Sequence, residues 1–108
     1  MTVPVSDIHK VGEVAQRTGV VRAYAIDVSN RGTPTSPSNT LYAHTDFTTN
    51  LTGNISGSPS VSSQTITTSL ITGLTGGLWY RLEVSFTVSG NTEEAYIDIY
   101  CTDTETVS

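Results

Sequence analysis

The residue types that most often carry chemistry are sparse in this chain and do not cluster along the sequence. His9 and His44 are the only histidines, and neither stands at metal-ligand spacing from the other or from Cys101, the single cysteine. The acidic residues are spread over predicted strands and turns, without a carboxylate pair or the oxygen-rich loop of a calcium site. We therefore predict a protein that is not an enzyme and that uses no cofactor or metal.

Two further features that could suggest chemistry have a structural explanation. Gly73, Gly76 and Gly77 are followed by no predicted helix, so they are expected to form a turn rather than a phosphate-binding loop. Cys101 shares the side-chain alternation of Ile97 and Ile99, which predicts a small core residue rather than a nucleophile.

The composition indicates one small β domain. The chain has 108 residues, of which 14% are charged, and counting along it gives 19 Thr, 13 Ser and a single Lys. A helical domain of this size would contain more Ala, Leu, Glu and Lys. The net charge of −5 and the lack of a basic cluster argue against a nucleic-acid partner. No apolar stretch is long enough for a signal peptide or a membrane span, so we expect synthesis in a reducing cytoplasm and no membrane partner.

The clearest element is a hairpin in the C-terminal third. Over residues 80–88, apolar and polar residues alternate with the period of a half-buried strand. Residues 89–92 then predict a type II′ turn with Gly90 at its first central position. The chain returns with Ala95, Ile97, Ile99 and Cys101 on the inner face.

The preceding residues predict several shorter strands. We expect them over residues 20–28, 40–44 and 65–72, with a short one near Ile55 in the loop 53–63. Residues 20–28 are apolar on both sides, and in 65–72 the shared face carries Ile66, Thr68 and Leu70. Residues 8–16 are expected to form an edge strand. The predicted organisation is a flexible arm over residues 1–10 and one domain over 11–108, an all-β, antiparallel two-sheet β-sandwich.

The segment that opens the strongest strand resembles a known structural motif. Leu74 stands six residues before Tyr80 with glycines between them, which is similar to the tyrosine corner of immunoglobulin and fibronectin type III sandwiches. The resemblance implies an Ig-like (fibronectin III-like) sandwich. It also implies that the Tyr80 hydroxyl bonds to the backbone of the corner, a role in stability.

The wider layout resembles small Ig-like structural proteins of tailed bacteriophages. The resemblance is carried by the segments VGEV at 11–14, GTPTSP at 32–37, ITGL at 71–74, YRLEV at 80–84 and IDI at 97–99, together with residues 20–28. It implies a head decoration or cement protein on the outer capsid surface, made in the cytoplasm of the host bacterium. The implied partner is the major capsid protein, with a homodimer or homotrimer on the capsid lattice.

Several aromatic residues are candidates for the contact surface. Because Tyr80 points inward, alternation should point Trp79 outward as an interface anchor, or else place it as a cap on the open end of the sandwich. Tyr96 and Tyr100 share the outward face of the last strand and could form a patch with Tyr24, or simply make cross-strand pairs. Phe47 lies in the long loop 45–63, which is of a length that often has a function.

Two other functions are consistent with the same residues. One is a neck or tail-completion protein, present in few copies as a ring. The other is an Ig-like carbohydrate- or receptor-binding module, in which Trp79 and Tyr96 stack on the ligand. That module predicts sugar binding that is lost on Trp79→Ala.

Overall fold

The computed structural model describes residues 8–29 and 31–102, and within them the chain is almost entirely β. The strands are β1 (Ile8–Arg17), β2 (Ala25–Asp27), β3 (Thr35–Ala43), β4 (Ile55–Ser56), β5 (Ser60–Ser62), β6 (Thr65–Thr67), β7 (Leu70–Ile71), β8 (Trp79–Val88) and β9 (Asn91–Thr102). The helical content of these residues is one 3₁₀ turn, Thr52–Asn54. None of the described segments forms a helix with the length and hydropathy to cross a bilayer.

The strands form several sheets around a common apolar core, an arrangement consistent with a β-sandwich. One sheet has the order β1-β9-β8-β3, a second has β2-β6-β5, and β4 pairs with β7. The buried apolar residues come from all three sheets and from the segments that connect their strands: Tyr24, Ile26, Val28, Leu41, Ile66, Ile71, Leu74, Tyr80, Leu82, Val84, Phe86, Val88, Ala95, Ile97, Ile99 and Cys101. The predicted inward placement of Cys101 is confirmed, since its exposed fraction is 0%.

The β8–β9 hairpin confirms the predicted alternation but not the predicted turn. Every second residue of β8 from Tyr80 onward is buried. Val88 pairs with Asn91, so the two turn residues are Ser89 and Gly90. Their φ angles are 51° and 84°. Two positive φ values define a type I′ turn, so the predicted type II′ turn, which places Gly90 first, is wrong by one residue.

Strand β1 confirms the expected edge strand and corrects the expected topology. It pairs with β9 in parallel, so the prediction of a purely antiparallel sandwich is wrong. Because β1 begins at Ile8, the arm predicted over residues 1–10 includes the first three residues of this strand. Residues 1–7 lie outside the described part of the chain.

The strand predicted over residues 65–72 is divided between two sheets. Thr67 ends β6 and Leu70 begins β7, with Thr68 and Ser69 buried between them. The Tyr24 N–H donates to Thr68 Oγ1 at 3.0 Å, and the Ser69 N–H donates to Asn39 Oδ1 at 2.8 Å. These side chains replace the ladder partners that a continuous strand would have. The break shifts the alternation, so Leu70 is exposed and Ile71 is buried, the reverse of the prediction for Leu70.

Two other predicted strands differ from the structure in extent, and a third is confirmed. Only residues 25–27 of the predicted strand 20–28 pair as β2. Val21, on the side of this segment opposite to Tyr24 and Ile26, is 54% exposed. The strand predicted at 40–44 begins five residues earlier, at Thr35. The short strand expected near Ile55 is confirmed as β4.

Candidate functional site

The outer face of the four-stranded sheet carries rows of side chains that cross β3, β8 and β9. Trp79 is paired with Tyr100, Arg81 with Asp98, and Tyr42 with Arg81 from the other side. His44 extends the first row, because its N–H donates to the Trp79 carbonyl at 3.0 Å. We name this surface the aromatic face and define it by Tyr42, His44, Phe47, Trp79, Arg81, Tyr96, Asp98 and Tyr100.

The rings of the aromatic face contact one another at an angle. The Trp79 and Tyr100 ring centroids are 5.1 Å apart at an interplanar angle of 47°, and those of His44 and Trp79 are 6.0 Å apart at 46°. His44 and Phe47 meet edge to face at 5.2 Å and 62°. Such tilted and T-shaped contacts are the preferred geometries of aromatic pairs. Trp79 and Phe47 remain 41% and 42% exposed, so the cluster presents two large rings to its surroundings.

A buried carboxylate lies beneath these rings. Asp98 is 6% exposed although it occupies an outward position of β9. An ionised carboxylate only accepts hydrogen bonds. His44 Nε2 therefore donates to Asp98 Oδ1 at 2.9 Å, and Arg81 Nε donates to the same oxygen at 3.4 Å. Asp98 thus fixes one imidazole and one guanidinium group, and both of these contact rings of the face.

Arg81 lies between two aromatic rings. Its guanidinium carbon is 4.7 Å from the Phe47 ring centroid and 4.0 Å from that of Tyr96. Both distances are within the range of cation–π attraction. Because Asp98 holds the Nε end and the two rings flank the group, the Arg81 side chain is fixed before any partner arrives.

The loop that supplies Phe47 is held by a neighbouring carboxylate. The Thr48 N–H and hydroxyl donate to Asp46 Oδ1 at 2.9 and 2.5 Å, and the Thr49 hydroxyl donates to Oδ2 at 2.9 Å. These hydrogen bonds, those from Thr48 first, lower the pKa of Asp46. The loop is an Asx-type turn that positions Phe47 over Arg81.

Two further carboxylates lie on the same sheet face, beside the aromatic face. Glu83 is opposite Tyr96, and Glu94 is opposite Ser85 in the next row, so the two glutamates are diagonal neighbours. Partial burial, followed by the charge of Glu94, raises the pKa of Glu83, while Arg81 acts in the opposite sense. We name Glu83 and Glu94 the acidic pair. The sheet face is therefore aromatic toward one end and acidic toward the other.

The predicted tyrosine corner residues lie apart from this face, in the core. Leu74 and Tyr80 are 4% and 5% exposed. The Thr75 N–H donates to the Tyr80 hydroxyl oxygen at 2.9 Å. This bond joins the inward side of β8 to the backbone of the segment that leads into it, which is the contact expected for a corner that stabilises the fold.

Tyr24 does not belong to the aromatic face, and the prediction that grouped it with Tyr96 and Tyr100 is wrong. Tyr24 is 8% exposed and is part of the core. Its hydroxyl donates to Gln16 Oε1 at 2.5 Å, and Gln16 Nε2 donates to the Ile71 carbonyl at 2.8 Å. Burial raises the pKa of Tyr24. A buried tyrosine hydroxyl requires a polar partner, and Gln16 supplies it. Tyr24 can therefore be buried without exposing its hydroxyl to solvent.

Trp79, Tyr96 and Tyr100 lie on the outward face that alternation predicts, and Phe47 reaches the same face from the loop 45–63. The prediction that Trp79 points outward is confirmed by its exposure, and Phe47, Tyr96 and Tyr100 lie on the same face. Their contact with a partner stays a prediction.

Sequence reasoning missed His44, Arg81 and Asp98 as members of this site. The signal that could have found them is the turn. The predicted type II′ turn pairs Arg81 with Tyr100, whereas the observed turn pairs Arg81 with Asp98. With the type I′ register, an arginine and an aspartate lie directly opposite each other on the outward face.

A polar groove beside β3 offers less chemistry. Pro37, Asn39, Asn50, Ile55 and Ser69 are among the residues that line it. Asn39 Oδ1 accepts from the Ser69 N–H at 2.8 Å and Asn50 Oδ1 accepts from the Leu41 N–H at 3.3 Å, so these amides already hold the fold together. Among the described residues, no group of three histidine, cysteine or acidic side chains is arranged to hold a metal ion.

No protein-family model matches the sequence, and no curated protein matches it either. The aromatic face is therefore interpreted from its own geometry.

Proposed function

We propose that this chain is a non-enzymatic binding protein that docks on another protein through the aromatic face. The observation that carries the proposal is that Trp79 and Phe47 are about two-fifths exposed while resting on a fixed support of Arg81, His44 and buried Asp98. Tryptophan, tyrosine and arginine dominate the binding energy of protein interfaces. A surface whose side chains are already held in place loses little conformational entropy on docking.

The ring geometry favours a protein partner over a carbohydrate. The interplanar angles within the aromatic face run from 46° to 66°, so none of these ring pairs forms a shared flat platform for a chain of sugar rings. The tilted rings give the aromatic face an uneven surface, and such a surface suits the interdigitating side chains of a protein interface. The net charge of −5 disfavours nucleic acid.

The fold and the phage resemblance extend this proposal to an Ig-like virion protein. The sheet orders β1-β9-β8-β3 and β2-β6-β5, with the Tyr80 corner between the layers, support an Ig-like sandwich. The resemblance to tailed-phage structural proteins then points to the major capsid protein as the partner. In this role the chain decorates the outer surface of the capsid shell.

The proposed mechanism is mechanical. Each copy lays its aromatic face across a capsid subunit or the junction between two of them, and self-association into a dimer or trimer at a symmetry axis adds further contacts. Because the contact is repeated over the lattice, each one need only be modest for the shell to resist internal pressure.

The test uses heads of the phage that encodes this chain. Mass spectrometry of purified virions should find a near-integral ratio to the major capsid protein. Heads assembled without the chain should burst at lower temperature and should regain stability when wild-type protein is added back. Trp79→Ala should fail to restore it, whereas Leu70→Ala, which alters a comparably exposed residue of β7, should succeed.

The alternatives give distinct results. A handful of copies per virion, together with heads that fail to join tails, would replace the decoration role by a neck or tail role. Restoration of head stability by Trp79→Ala would refute docking through the aromatic face. Binding to a glycan array that is lost in Trp79→Ala would identify a carbohydrate-binding module instead.

A further inference from the structure

We infer that the protein surface that docks on the aromatic face is positively charged, with a lysine or arginine that lies against the acidic pair, Glu83 and Glu94, while an apolar group packs on Trp79. The inference rests on the proposed function and adds the chemistry of the partner.

The first support is the charge balance of this sheet face. Arg81 and Asp98 lie within one hydrogen bond of each other, so their charges largely offset. Glu83 and Glu94 are diagonal neighbours on the sheet, and neither forms an ion pair with a side chain that the structure describes. Across the whole chain, acidic residues outnumber basic ones by ten to five. A complementary partner therefore brings positive charge to this position.

The second support is independent of the glutamates and comes from the rings. Arg81 already lies over the Phe47 and Tyr96 rings at 4.7 and 4.0 Å, so a cation is accommodated on this face. Tyr96, one of these two rings, lies directly opposite Glu83 on the sheet. A cationic side chain of the partner that lies against the acidic pair is therefore also beside an electron-rich ring.

The third support is that the ionised acidic pair carries a cost to folding in the isolated protein. Partial burial and the charge of Glu94 raise the pKa of Glu83, so its ionised form is disfavoured in the isolated protein. A cation from a partner favours the ionised form and offsets this penalty on docking. A second copy of the chain would increase it, since each copy carries a net charge of −5.

The test is a titration of the ¹⁵N-labelled full chain with two short probe peptides. One is acetyl-Gly-Lys-Trp-Lys-Gly-amide, and the other has Glu in place of both Lys. In low salt the lysine peptide should shift the resonances of Glu83, Glu94 and the Trp79 indole, and the shifts should fade as salt rises. The glutamate peptide should leave them unchanged.

Variants separate the contribution of charge from that of the rings. Glu83→Gln/Glu94→Gln should weaken binding of the lysine peptide about fivefold in low salt. Asp27→Asn, which removes a carboxylate from the other sheet, should leave binding unchanged. Glu83→Gln should also stabilise the isolated chain at neutral pH, so that binding falls while stability rises. A purely structural role for Glu83 would lower both.

Failure of this inference can be told apart from failure of the proposed function. Equal binding of the two peptides, or unchanged binding by the double variant, overturns the positively charged partner. If Trp79→Ala still fails to restore head stability in that case, the docking surface stands. Self-association of the chain through the aromatic face in sedimentation experiments would also overturn the inference, because the partner would then be a second acidic copy.

Discussion

Replacing Asp98 by asparagine tests whether the buried carboxylate organises the aromatic face. The substitution keeps the shape of the side chain and removes the charge that accepts hydrogen bonds from His44 and Arg81. Breaking a fully buried ion pair costs about 3–5 kcal/mol, whereas an exposed pair contributes about 0–1 kcal/mol. The Asp98 side chain is 8% exposed and those of its partners 31% and 25%, so this pair lies between the two limits. We expect a loss of about 2 kcal/mol.

The assay combines unfolding with a local reporter. For a domain of this size, a loss of about 2 kcal/mol lowers Tm by about 10 °C, and urea denaturation should give the same loss as a shift in midpoint at constant slope. Trp79 is the only tryptophan, and its ring centroid is 6.0 Å from that of His44. Its fluorescence should shift in the folded Asp98→Asn protein as the ring becomes less ordered. Asp27→Asn is the matched control, since Asp27 is exposed and accepts hydrogen bonds only from nearby Ser29 among the described contacts.

One result would refute this reasoning. If Asp98→Asn costs less than about 0.5 kcal/mol, the range of ordinary surface substitutions, and leaves Trp79 emission unchanged, the carboxylate does not hold the face together. If Asp98→Asn is destabilising, a double-mutant cycle with Arg81→Met tests whether the loss comes from the Asp98–Arg81 contact. Such a contact should show a coupling energy of at least about 0.5 kcal/mol.

Three further substitutions have outcomes that follow from single contacts. Tyr80→Phe removes the acceptor of the Thr75 N–H and should cost about 1–2 kcal/mol in urea denaturation; an unchanged midpoint would show that the corner contributes nothing. Ser89→Asn places the preferred residue at the first position of the type I′ turn and should stabilise the fold by about 0.5 kcal/mol, whereas destabilisation would contradict the turn assignment. The pKa of Glu83 is raised in the folded state, so the folded state binds more protons and its stability falls as pH rises above the ordinary glutamate pKa. Glu83→Gln should therefore be more stable than wild type at pH 7 and lose this advantage near pH 4; a constant difference across that range would exclude the effect.

The sequence predicts this fold best where one strand face is apolar and the other polar. In β8 the contrast between Leu82 or Val84 and their neighbours is strong enough to place Tyr80 inward and Trp79 outward. The same reasoning failed for Tyr24, because residues 20–28 are apolar on both sides and alternation cannot then say which side is covered. Only three of those residues pair as β2.

The site depends on relations that lie far apart along the chain. His44 and Asp98 are separated by 54 positions, and their contact requires both the strand order and the hairpin register. Assigning positive φ to Ser89 runs against residue preferences, which favour glycine or asparagine there, so the register could not be fixed from the turn sequence alone. The sequence also could not predict that β1 pairs with β9 in parallel, since no local pattern distinguishes a parallel edge strand from an antiparallel one.

The parallel pairing of β1 with β9 also determines how the domain responds to tension. Ile8 lies beside Glu94 and Arg17 beside Thr102, so the start of β1 and the end of β9 are at opposite ends of the pair, roughly 30 Å apart at the usual rise per residue. A force that pulls these ends apart acts along the strands and stretches all of the ladder hydrogen bonds together. In the β8–β9 hairpin, by contrast, a pull on the two open ends would part the bonds one after another. When force is applied to the start of β1 and the end of β9, the β1–β9 pair is therefore loaded in shear, and its hydrogen bonds are not broken one at a time.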